Sequence, residues 1–489
     1  MAVEQQSATR PPALPTCILR GHASQIHCVQ FVRQNSCLLT GDADGYVVYW
    51  DLSTSRALEA WKAHDGPILG VAQWGHGRMI THGRDNTLRI WQLHPGPSGL
   101  TERVPLPSDL QHQDGRTKPW LLHAFPVNTL NFCAFSVCYQ HPSAHLAARD
   151  DGILVAVPGR DDTTIEVYQF PDERLKILIP RVQVTATGMA MAVKLVRHSH
   201  SQDILLLAGY EGGVTAVFRL PGNCTGPGIE SAELVYLSQP HSQPILSLDA
   251  SSDGSSYFTS SADAVIAKHL VPMLPKISKG QDSLDSRQNT GSDPPLIPQA
   301  LPSFLSEQDA VNSSLSTASQ DTGMQYETHE EDLSAHFAKH SINKARKEDS
   351  KPSGLSSMLS SDQQSRAKST MPCQPITVQA PYKIVNTKHA GQQSLRVRSD
   401  GRLIVTGGWD ARIRIYSSKT LKEVAVLKWH KQGVYAVAFS QILTEEDFRK
   451  QDYVRVFGGQ AEPRETQVKL KHWVAAGAKD GKISLWEMY

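Results

Sequence analysis

The stretch T-G-D-A-D-G-Y-V-V-Y-W-D, which runs from Thr40 to Asp51, decides the fold of this chain. A second copy, T-H-G-R-D-N-T-L-R-I-W-Q, runs from Thr81 to Gln92. A small residue and a histidine precede each copy, at Gly21-His22 and at Ala63-His64. Repeats of about forty residues with a fixed His, Asp and Trp are typical of four-stranded propeller blades. The sequence therefore predicts a β-propeller.

This spacing resembles that of WD40 repeats, in which the fixed residues come together. We expect His22 to pair with Thr40, Thr40 to meet the indole N–H of Trp50, and Asp44 to accept a hydrogen bond from His22. Burial of so many polar groups requires a partner for each, because an orphaned group costs about 1–3 kcal/mol. We interpret the cluster as structural and call it the polar lock. Its predicted members in four repeats are His22, Thr40, Asp44 and Trp50; His64, Thr81, Asp85 and Trp91; His389, Thr406 and Asp410; and His430, Asp480 and Trp486.

Further copies with weaker matches follow along the chain. The third ends in G-R-D-D-T-T-I-E-V-Y at Tyr168, and the fourth, Ala208–Phe218, lacks both the turn aspartate and the tryptophan. The fifth keeps the His, Thr and Asp positions but has His269 where Trp is expected. The sixth contains T-G-G-W-D-A-R-I-R-I-Y from Thr406, and the seventh ends in A-G-A-K-D-G-K-I-S-L-W at Trp486. The sequence thus predicts an all-β, seven-bladed ring.

The two ends of the chain supply strands that close this ring. The chain stops at Tyr489, three residues after Trp486, so the last repeat has a third strand but no residues for a fourth. Residues Leu14–Arg20, directly before the first Gly-His pair, form a spare strand. Pairing of the two ends removes exposed sheet edges that favour aggregation. We therefore expect residues 14–20 to form the outer strand of the last blade.

The composition changes sharply between Met273 and Gln379, where Ser, Gln, Asp, Lys and Pro dominate. A segment so poor in apolar residues cannot offset the entropy lost on ordering, so a disordered insertion is expected. The predicted domains are residues 14–272 for blades one to five, 273–379 for the insertion between the fifth and sixth blades, and 380–489 for blades six and seven. Residues 329–347 are acidic at their start and basic at their end, which favours a short helix.

Two shorter insertions are candidates for recognition. His94–Lys118 joins the second and third blades, and Ile442–Leu470 interrupts the last blade between its first and second strands. Loops on a rigid frame are usual places for binding. The second insertion contains E-E-D-F-R-K from Glu445, which we predict to be helical. Both insertions are interpreted either as binding loops or as solvated elaborations of the ring.

Charge and cysteine usage exclude several classes of function. The chain of 489 residues has a formal net charge of +1, so it offers no global basic field for nucleic acid. Its seven cysteines form no C-x-x-C pair, and the N-terminus has no apolar signal core. We expect a reduced, intracellular compartment. No apolar run has the length of a membrane span, so neither direct nucleic-acid binding nor a membrane location is predicted.

Catalytic and metal-binding motifs are equally sparse. The sequence has no H-E-x-x-H, no phosphate-binding loop and no G-x-S-x-G elbow. The acid pair Asp161-Asp162 lies in a predicted blade turn, and the pair Asp150-Asp151 borders a strand. Several of the 20 histidines occupy the repeat's own His position. We predict no catalytic residue, no cofactor and no metal ion, and hence a protein that is not an enzyme.

A substrate receptor of a cullin-type ubiquitin ligase is the alternative function. Such receptors carry W-D-x-R after the third strand of a blade. Trp409-Asp410-Ala411-Arg412 contains this string, but its spacing places Asp410 in the turn before the third strand. At the expected position, Ser53 and His94 stand where the arginine would be. This alternative is therefore disfavoured.

Four segments point to one family in particular. They are L-R-G-H at Leu19–His22, P-V-N-T-L-N-F-C-A-F at Pro126–Phe135, G-W-D-A-R-I-R-I-Y at Gly408–Tyr416, and V-L-K-W-H-K-Q-G-V-Y-A-V-A-F at Val426–Phe439. Together they resemble the fungal ASTRA-associated protein 1 family, whose animal relatives are called G-protein beta-subunit-like protein 1. The resemblance covers nearly all of the chain outside the 273–379 insertion.

This resemblance implies a non-enzymatic scaffold subunit of the ASTRA assembly. That nuclear complex is linked to chromatin remodelling and to the maturation of phosphatidylinositol-3-kinase-related kinases. The implied partners are other protein subunits, namely a large kinase-related subunit and its co-chaperones. The implied location is the nucleus, with the cytoplasm as a second site. The resemblance transfers no catalytic residue, because the family has none.

Overall fold

A computed structural model describes residues 13–75, 77–94, 104–109, 118–129, 132–141, 152–222, 228–273, 376–444 and 463–488. In this part of the chain the strands form seven sheets, and a single helix, α1 (Pro463–Leu470), accompanies them. The predicted all-β, seven-bladed propeller is confirmed.

The first four blades follow one another along the chain. After β1 (Cys17–Arg20), the first blade contains β2 (Ile26–Val32), β3 (Cys37–Asp42), β4 (Tyr46–Asp51) and β5 (Arg56–Lys62). The second contains β6 (Ile68–Trp74), β7 (Arg78–Gly83), β8 (Thr87–Gln92) and β9 (Trp120–Pro126). The third contains β10 (Ser136–Tyr139), β11 (Ile153–Pro158), β12 (Ile165–Phe170) and β13 (Arg174–Ile179). The fourth contains β14 (Ala190–Arg197), β15 (Ile204–Tyr210), β16 (Thr215–Arg219) and β18 (Glu233–Ser238). The short β17 (Glu230–Ser231), which precedes β18 in the chain, is the outermost strand of the third sheet.

The last three blades complete the ring. The fifth contains β19 (Ile245–Ala250), β20 (Ser256–Ser261), β21 (Val265–Leu270) and β22 (Lys383–Asn386). The sixth contains β23 (Gln392–Val397), β24 (Leu403–Gly408), β25 (Ile413–Ser417) and β26 (Glu423–Leu427). The seventh contains β27 (Val434–Phe439), β28 (His472–Ala478), β29 (Lys482–Met488) and β1.

The ring is closed by pairing between the two ends of the chain, as predicted. Strand β1 runs antiparallel to β29, with Cys17 opposite Leu485 and Arg20 opposite Lys482. The strand is shorter than the predicted range 14–20, since it begins at Cys17. Directly before it, the backbone N–H of Thr16 donates to the carbonyl of Leu485 at 2.8 Å, and Leu14 is exposed. The last blade is thus built from both termini, which covers the outer edge of β29.

The hydrophobic core of the described residues is divided among the junctions between blades. Seven apolar clusters are present, and each one joins two neighbouring blades. Trp61 meets Trp91 edge-to-face, with ring centroids 6.1 Å apart, between the first and second blades. Every residue of β11 is buried, since the sheet packs against a neighbour on both faces. A blade therefore buries its apolar faces only within the ring.

The long insertion lies inside the fifth blade, which corrects the predicted domain boundaries. Strand β22, the outer strand of that blade, pairs with β21 across the insertion, so residues 380–489 contain more than blades six and seven. The error arises because each repeat ends at its third strand, whereas the blade takes its fourth strand from the residues that follow. The chain already joins the fold at Ile376, which packs against the core between the third and fourth blades.

The remainder of this insertion, including the helix predicted at 329–347, lies outside the described residues, and so does the predicted disorder. By its contacts, the chain divides into one unit of residues Met1–Ile277 and Cys373–Tyr489 and a second unit of Ser278–Pro372. No helix among the described residues has the length and apolar character to cross a membrane.

The two shorter insertions also interrupt blades. Residues 94–118 lie within the second blade, between β8 and β9, and not between the second and third blades as predicted. The same shift between repeat and blade explains this error. Residues 442–470 separate β27 from β28, as predicted, and end in α1. The helix predicted from Glu445 lies outside the described residues.

Candidate functional site

The polar lock of the first blade joins β3, β4 and the chain before β2. The Nε2 atom of His22 lies 2.7 Å from Oγ1 of Thr40, and the indole N–H of Trp50 donates to the same oxygen at 2.9 Å. All three side chains are buried. The structure thus brings together the histidine, threonine and tryptophan that the repeat spacing selects.

The carboxylate of this lock comes from Asp42, and the prediction of Asp44 was wrong. Oδ2 of Asp42 lies 2.7 Å from Nδ1 of His22, while Asp44 is exposed in the following turn. Asp42 is fully buried and also accepts two backbone N–H groups of that turn. Its position aligns with Gly83 of the second repeat, where an added Cβ would touch the ring of His64. A side chain at this position therefore faces the histidine directly.

The second blade forms the lock with the predicted residues. His64 contacts Oγ1 of Thr81 through Nε2 at 2.7 Å and Oδ1 of Asp85 through Nδ1 at 2.9 Å. The indole N–H of Trp91 donates to Thr81 at 2.8 Å, and Arg89 binds the second oxygen of Asp85 at 3.0 Å. Burial lowers the pKa of His64, so its imidazole is neutral at neutral pH.

The fifth blade completes the lock with an imidazole in place of the indole. His241 lies 2.8 Å from Thr259 and 3.2 Å from Asp263. Nε2 of His269, at the Trp position, lies 3.3 Å from the same threonine oxygen. His269 stacks on Tyr257 with centroids 4.5 Å apart, and burial lowers its pKa to about 3. A neutral imidazole N–H can serve as the donor that tryptophan supplies elsewhere.

The sixth blade does not form the predicted lock. His389 is exposed, and its Nδ1 lies 3.8 Å from Asp410. Thr406 instead hydrogen-bonds Oε1 of Gln392 at 2.7 Å, and Asp410 binds Arg414 at 2.6 Å. A glutamine three residues after the histidine and an arginine four residues after the aspartate supply other partners. The imidazole of His389 is thus outside the network, and only its backbone carbonyl takes part, by accepting a hydrogen bond from the side-chain amide of Gln392 at 2.9 Å.

The seventh blade moves the hydroxyl to the neighbouring strand. Ser484 lies 2.7 Å from Nε2 of His430 and accepts the indole N–H of Trp486 at 2.8 Å. Ala476 stands at the usual threonine position, directly opposite Ser484 in the β28–β29 pair. The predicted partner Asp480 lies 4.0 Å from Nδ1 of His430, beyond hydrogen-bond distance. Burial lowers the pKa of His430 to about 4. The serine two residues before Trp486 was visible in the sequence but was missed.

The third blade holds its turn by a different contact. Asp162 accepts a hydrogen bond from the side-chain amide of Asn128 at 2.7 Å, and Asn128 also donates to the carbonyl of Gly159 at 2.8 Å. Tyr168 donates to Glu166 at 2.6 Å. Asp162 is therefore engaged within the fold. Among the described residues, no group of three or more His, Cys, Asp or Glu side chains could hold a metal ion.

The W-D-A-R string lies where its spacing predicts, in the turn between β24 and β25. Its aspartate, Asp410, is held by Arg414 on β25, so it serves the local turn. Trp409 is half exposed and donates its indole N–H to Gln393 at 2.9 Å. The string is thus part of a turn on the face of the ring and does not follow a third strand.

The insertion between β27 and β28 is fixed at both of its ends by one side chain of the first blade. The amide of Asn35, which is 1% exposed, donates to the carbonyls of Gln441 and Lys469 at 2.7 and 3.0 Å. Its Oδ1 accepts the backbone N–H of Gln441 at 2.8 Å. Glu465 and Lys469 form an ion pair at 2.6 Å within α1. Asn35 therefore clamps the stem of this insertion to the ring.

The insertion of the second blade crosses to the first blade. The backbone N–H of Ser108 donates to the carbonyl of Gly21 at 2.9 Å. Leu106 packs so closely over Gly21 that a Cβ added to the glycine would lie 2.9 Å from the leucine. Val104 and Leu106 thus join the cluster between the seventh and first blades, to which α1 also contributes Val468.

The fold and these networks define the chain as a WD-repeat propeller with a structural polar lock. The model of the ASTRA-associated protein 1 family matches residues 15–486. The chain belongs to this family, as the resemblance of its sequence implied. It is 38% identical to ASTRA-associated protein 1 of Pyricularia oryzae over 98% of both chains, and 33% identical to that of Aspergillus niger over the full length of both. The protein of that name from Schizosaccharomyces pombe is 25% identical over 97% of this chain and 99% of its own.

Proposed function

We propose that the chain is a non-enzymatic scaffold subunit of the ASTRA assembly, and that it serves chromatin remodelling and the maturation of phosphatidylinositol-3-kinase-related kinases. The observation that carries the proposal is the extent of the family match. Relatives that align over nearly their whole length are named ASTRA-associated protein 1. The shared unit is the complete ring with its insertions, so an association that depends on that ring is expected here as well.

The polar lock supports a structural role over a catalytic one. Asp42, His22 and Thr40 are linked in the order carboxylate, imidazole, hydroxyl, which is also the order of a catalytic triad. Thr40 is completely buried, however, and its oxygen accepts the indole N–H of Trp50. A nucleophile must be reached by its substrate. The hydroxyl of Thr40 is enclosed by the side chains it contacts, so a substrate does not reach it.

A scaffold needs a rigid frame with surfaces that other proteins can contact. The clusters between blades make one continuous ring, and the stems of two insertions are fixed to it through Asn35 and Leu106. Recognition segments held in this way lose little entropy on binding. We propose a large kinase-related subunit and its co-chaperones as partners, and the nucleus as the main location.

Affinity purification tests the proposed assembly. The full-length protein carries a tag at its genomic locus, is purified from its native cells, and is analysed by mass spectrometry. Recovery of a phosphatidylinositol-3-kinase-related kinase with its co-chaperones is the expected result. Recovery of a cullin adaptor, or of no stable partner, would refute the proposal. Imaging of the same tagged strain tests the nuclear location.

A deletion variant separates the ring from the long insertion. Residues 274–375 are replaced by a short Gly-Ser linker, which leaves Ile376 and its contacts with the core in place. If the ring itself is the scaffold, the deletion variant retains the partners. Loss of every partner from a variant that remains folded would assign the binding to the insertion.

A further inference from the structure

The outer strand of the second blade, β9, exposes an apolar edge. Trp120, Leu121 and Leu122 are 62%, 47% and 42% exposed, and the strand sequence W-L-L-H-A-F-P contains no Asp, Glu, Lys or Arg. The strand ends its sheet, and no other described strand pairs with its outer side. Such an edge is a template for another strand, and soluble proteins normally protect it.

Outer strands of other blades show such protection. The exposed ends of β5 are Arg56 and Lys62, and β26 begins with the exposed Glu423. Strand β17 pairs in parallel with β13, and Gln379 forms a parallel bridge to Ser238 of β18. Charged residues thus protect the outer strands of the first and sixth blades, and additional segments of the chain pair with the outer strands of the third and fourth. Strand β22 of the fifth blade also ends its sheet and exposes Ile384, but it carries Lys383. Among the described outer strands, β9 is the one that has an uncovered edge and no charged residue.

The third and fourth blades also show that this ring accepts extended chain at its outer edge. In the third blade, Ile177 and Leu178 of β13 face Glu230 and Ser231 in register. In the fourth, the backbone N–H of Gln379 donates to the carbonyl of Leu237 at 2.8 Å. Both additions are short, extended and parallel. The outer strand of a blade in this protein can therefore pair with a further extended segment.

A basic pocket opens beside β9, at the junction of the first and second blades. Lys62, Arg89 and Lys118 line it together with the rings of Tyr46 and Trp61. Arg89 lies opposite Ala124 in the β8–β9 pair, and Lys118 stands two residues before Trp120.

The charge of this pocket is positive overall. One carboxylate, Asp65, also lines it and lies 3.4 Å from Lys62. Arg89 is paired with Asp85 at 3.0 Å, as Lys62 is with Asp65. Lys118 is thus the lining cation for which the described residues show no ion pair, and its positive charge favours an added anion. Nζ of Lys118 lies 5.1 Å from the ring centroid of Trp91, which places this cation between the pocket and the start of β9.

We propose that β9 is the binding edge for an extended, acidic segment of another subunit of the assembly. The segment pairs with the free edge of β9, its apolar side chains pack on Trp120, Leu121 and Leu122, and a carboxylate enters the basic pocket. This mode is strand addition, in which backbone hydrogen bonds supply affinity and side-chain pockets supply specificity. The identity of the partner rests on the proposed function; the binding edge does not.

Charge decides for an acidic partner over a second copy of the chain. A symmetric contact between two β9 strands would bring W-L-L-H-A-F-P against itself, with no carboxylate for the pocket. It would also bring Lys118 of each copy to the same interface. Like charges without counterions disfavour that arrangement, whereas an acidic segment supplies them.

A photo-crosslinking amino acid at position 122 of the full-length protein, expressed in native cells, tests this binding edge. A matched control carries it at position 424, since Val424 is 60% exposed on the outer strand β26. The crosslinked peptides are then sequenced. The expected product from position 122 is a peptide of another protein with clustered Asp or Glu beside apolar residues, and it is absent from position 424. Crosslinks to a second copy, to residues 274–375 of the same chain, or to no protein would overturn the proposal.

Two variants test the chemistry of the edge and the pocket. Leu122→Lys places a charge on the free edge, and Lys118→Glu reverses a charge of the pocket. The controls are Val424→Lys on β26 and Lys422→Glu directly before that strand. Affinity purification without the crosslinker measures how much of the partner identified from position 122 each variant recovers. Each test variant should weaken this recovery by about tenfold or more, as for loss of an interface anchor, while its control retains wild-type recovery. Equal recovery from test and control variants of unchanged melting temperature would overturn the proposal. A crosslinked acidic partner from outside the ASTRA assembly would refute the proposed function and leave the binding edge supported.

Discussion

Replacement of Asp42 by alanine removes the carboxylate that the structure places in the first polar lock. Asp42 and the side chain of His22 have no exposed surface, and the two groups lie 2.7 Å apart. The same carboxylate accepts two backbone N–H groups of the following turn, at 2.9 and 3.0 Å. Breaking a buried pair on one side costs about 3–5 kcal/mol, because the remaining group keeps its desolvation cost without a partner. We expect Asp42→Ala to lose stability in this range.

Thermal and urea unfolding measure this loss. Unfolding entropy is about 2 cal/mol/K per residue, so for a ring of this size the loss corresponds to a melting temperature lower by about 4–6 °C. Asp44→Ala is the matched control, because Asp44 is exposed in the same turn. Its stability should stay within about 0.5 kcal/mol of wild type, as for most surface changes. Asp42→Asn should recover part of the loss, because its amide oxygen can still accept hydrogen bonds.

The reasoning would be refuted if Asp44→Ala lost as much stability as Asp42→Ala. It would also be refuted if Asp42→Ala unfolded like the wild type. Either outcome would mean that the carboxylate beside His22 does not hold the first blade. If Asp42→Ala does not fold at all, the comparison of Asp42→Asn with Asp44→Ala still decides the question.

Three further predictions concern other buried groups. Burial lowers the pKa of His82 to about 3, so the unfolded chain takes up the proton first and stability falls as pH drops below about 6.5. His82→Leu should reduce that loss by about 1 kcal/mol between pH 6.5 and 5.5, and an unchanged pH dependence of urea unfolding would contradict this. Ser484→Ala removes the hydroxyl that contacts the imidazole of His430 and the indole N–H of Trp486, so the free energy of unfolding should fall by about 2–3 kcal/mol. A second substitution, Ala476→Thr, returns a hydroxyl to the opposite strand and should restore part of this loss. Failure of the rescue in thermal unfolding would argue against the shifted hydroxyl. Asn35→Gly keeps the left-handed backbone (φ 68°) but loses the clamp, so the amide of Gln441 should exchange hydrogen faster while the ring melts within a few degrees of wild type; unchanged exchange would show that the clamp does not hold the insertion.

The sequence predicted the architecture well because the signal is repeated. His64, Thr81, Asp85 and Trp91 fall at the spacing of the repeat, and the structure joins all four. The closing strand was predicted from the missing fourth strand of the last repeat, and β1 fills that place. Period, turn residues and apolar strands all favour the same fold, so individual weak repeats did not mislead the prediction.

Individual partners within the networks were less predictable. Asp42 and Asp44 stand two residues apart, and both can reach a histidine in principle; the backbone of the turn decides between them. Spacing likewise selected His389 in the sixth blade, where Gln392 and Arg414 take the contacts instead. Hydrogen bonds have a narrow range of distance and angle, and sequence spacing does not specify them.

By itself, the sequence determined that the chain folds as a closed propeller of seven blades. Only the tertiary structure decided which residues share a surface. The residues Lys62, Arg89 and Lys118, which line one pocket, come from two blades and a loop. Trp120 is exposed on β9, beside which no described strand lies. The physical reason is that the spacing of the repeat specifies contacts within one blade. Surfaces form between blades, where residues far apart in the sequence come together.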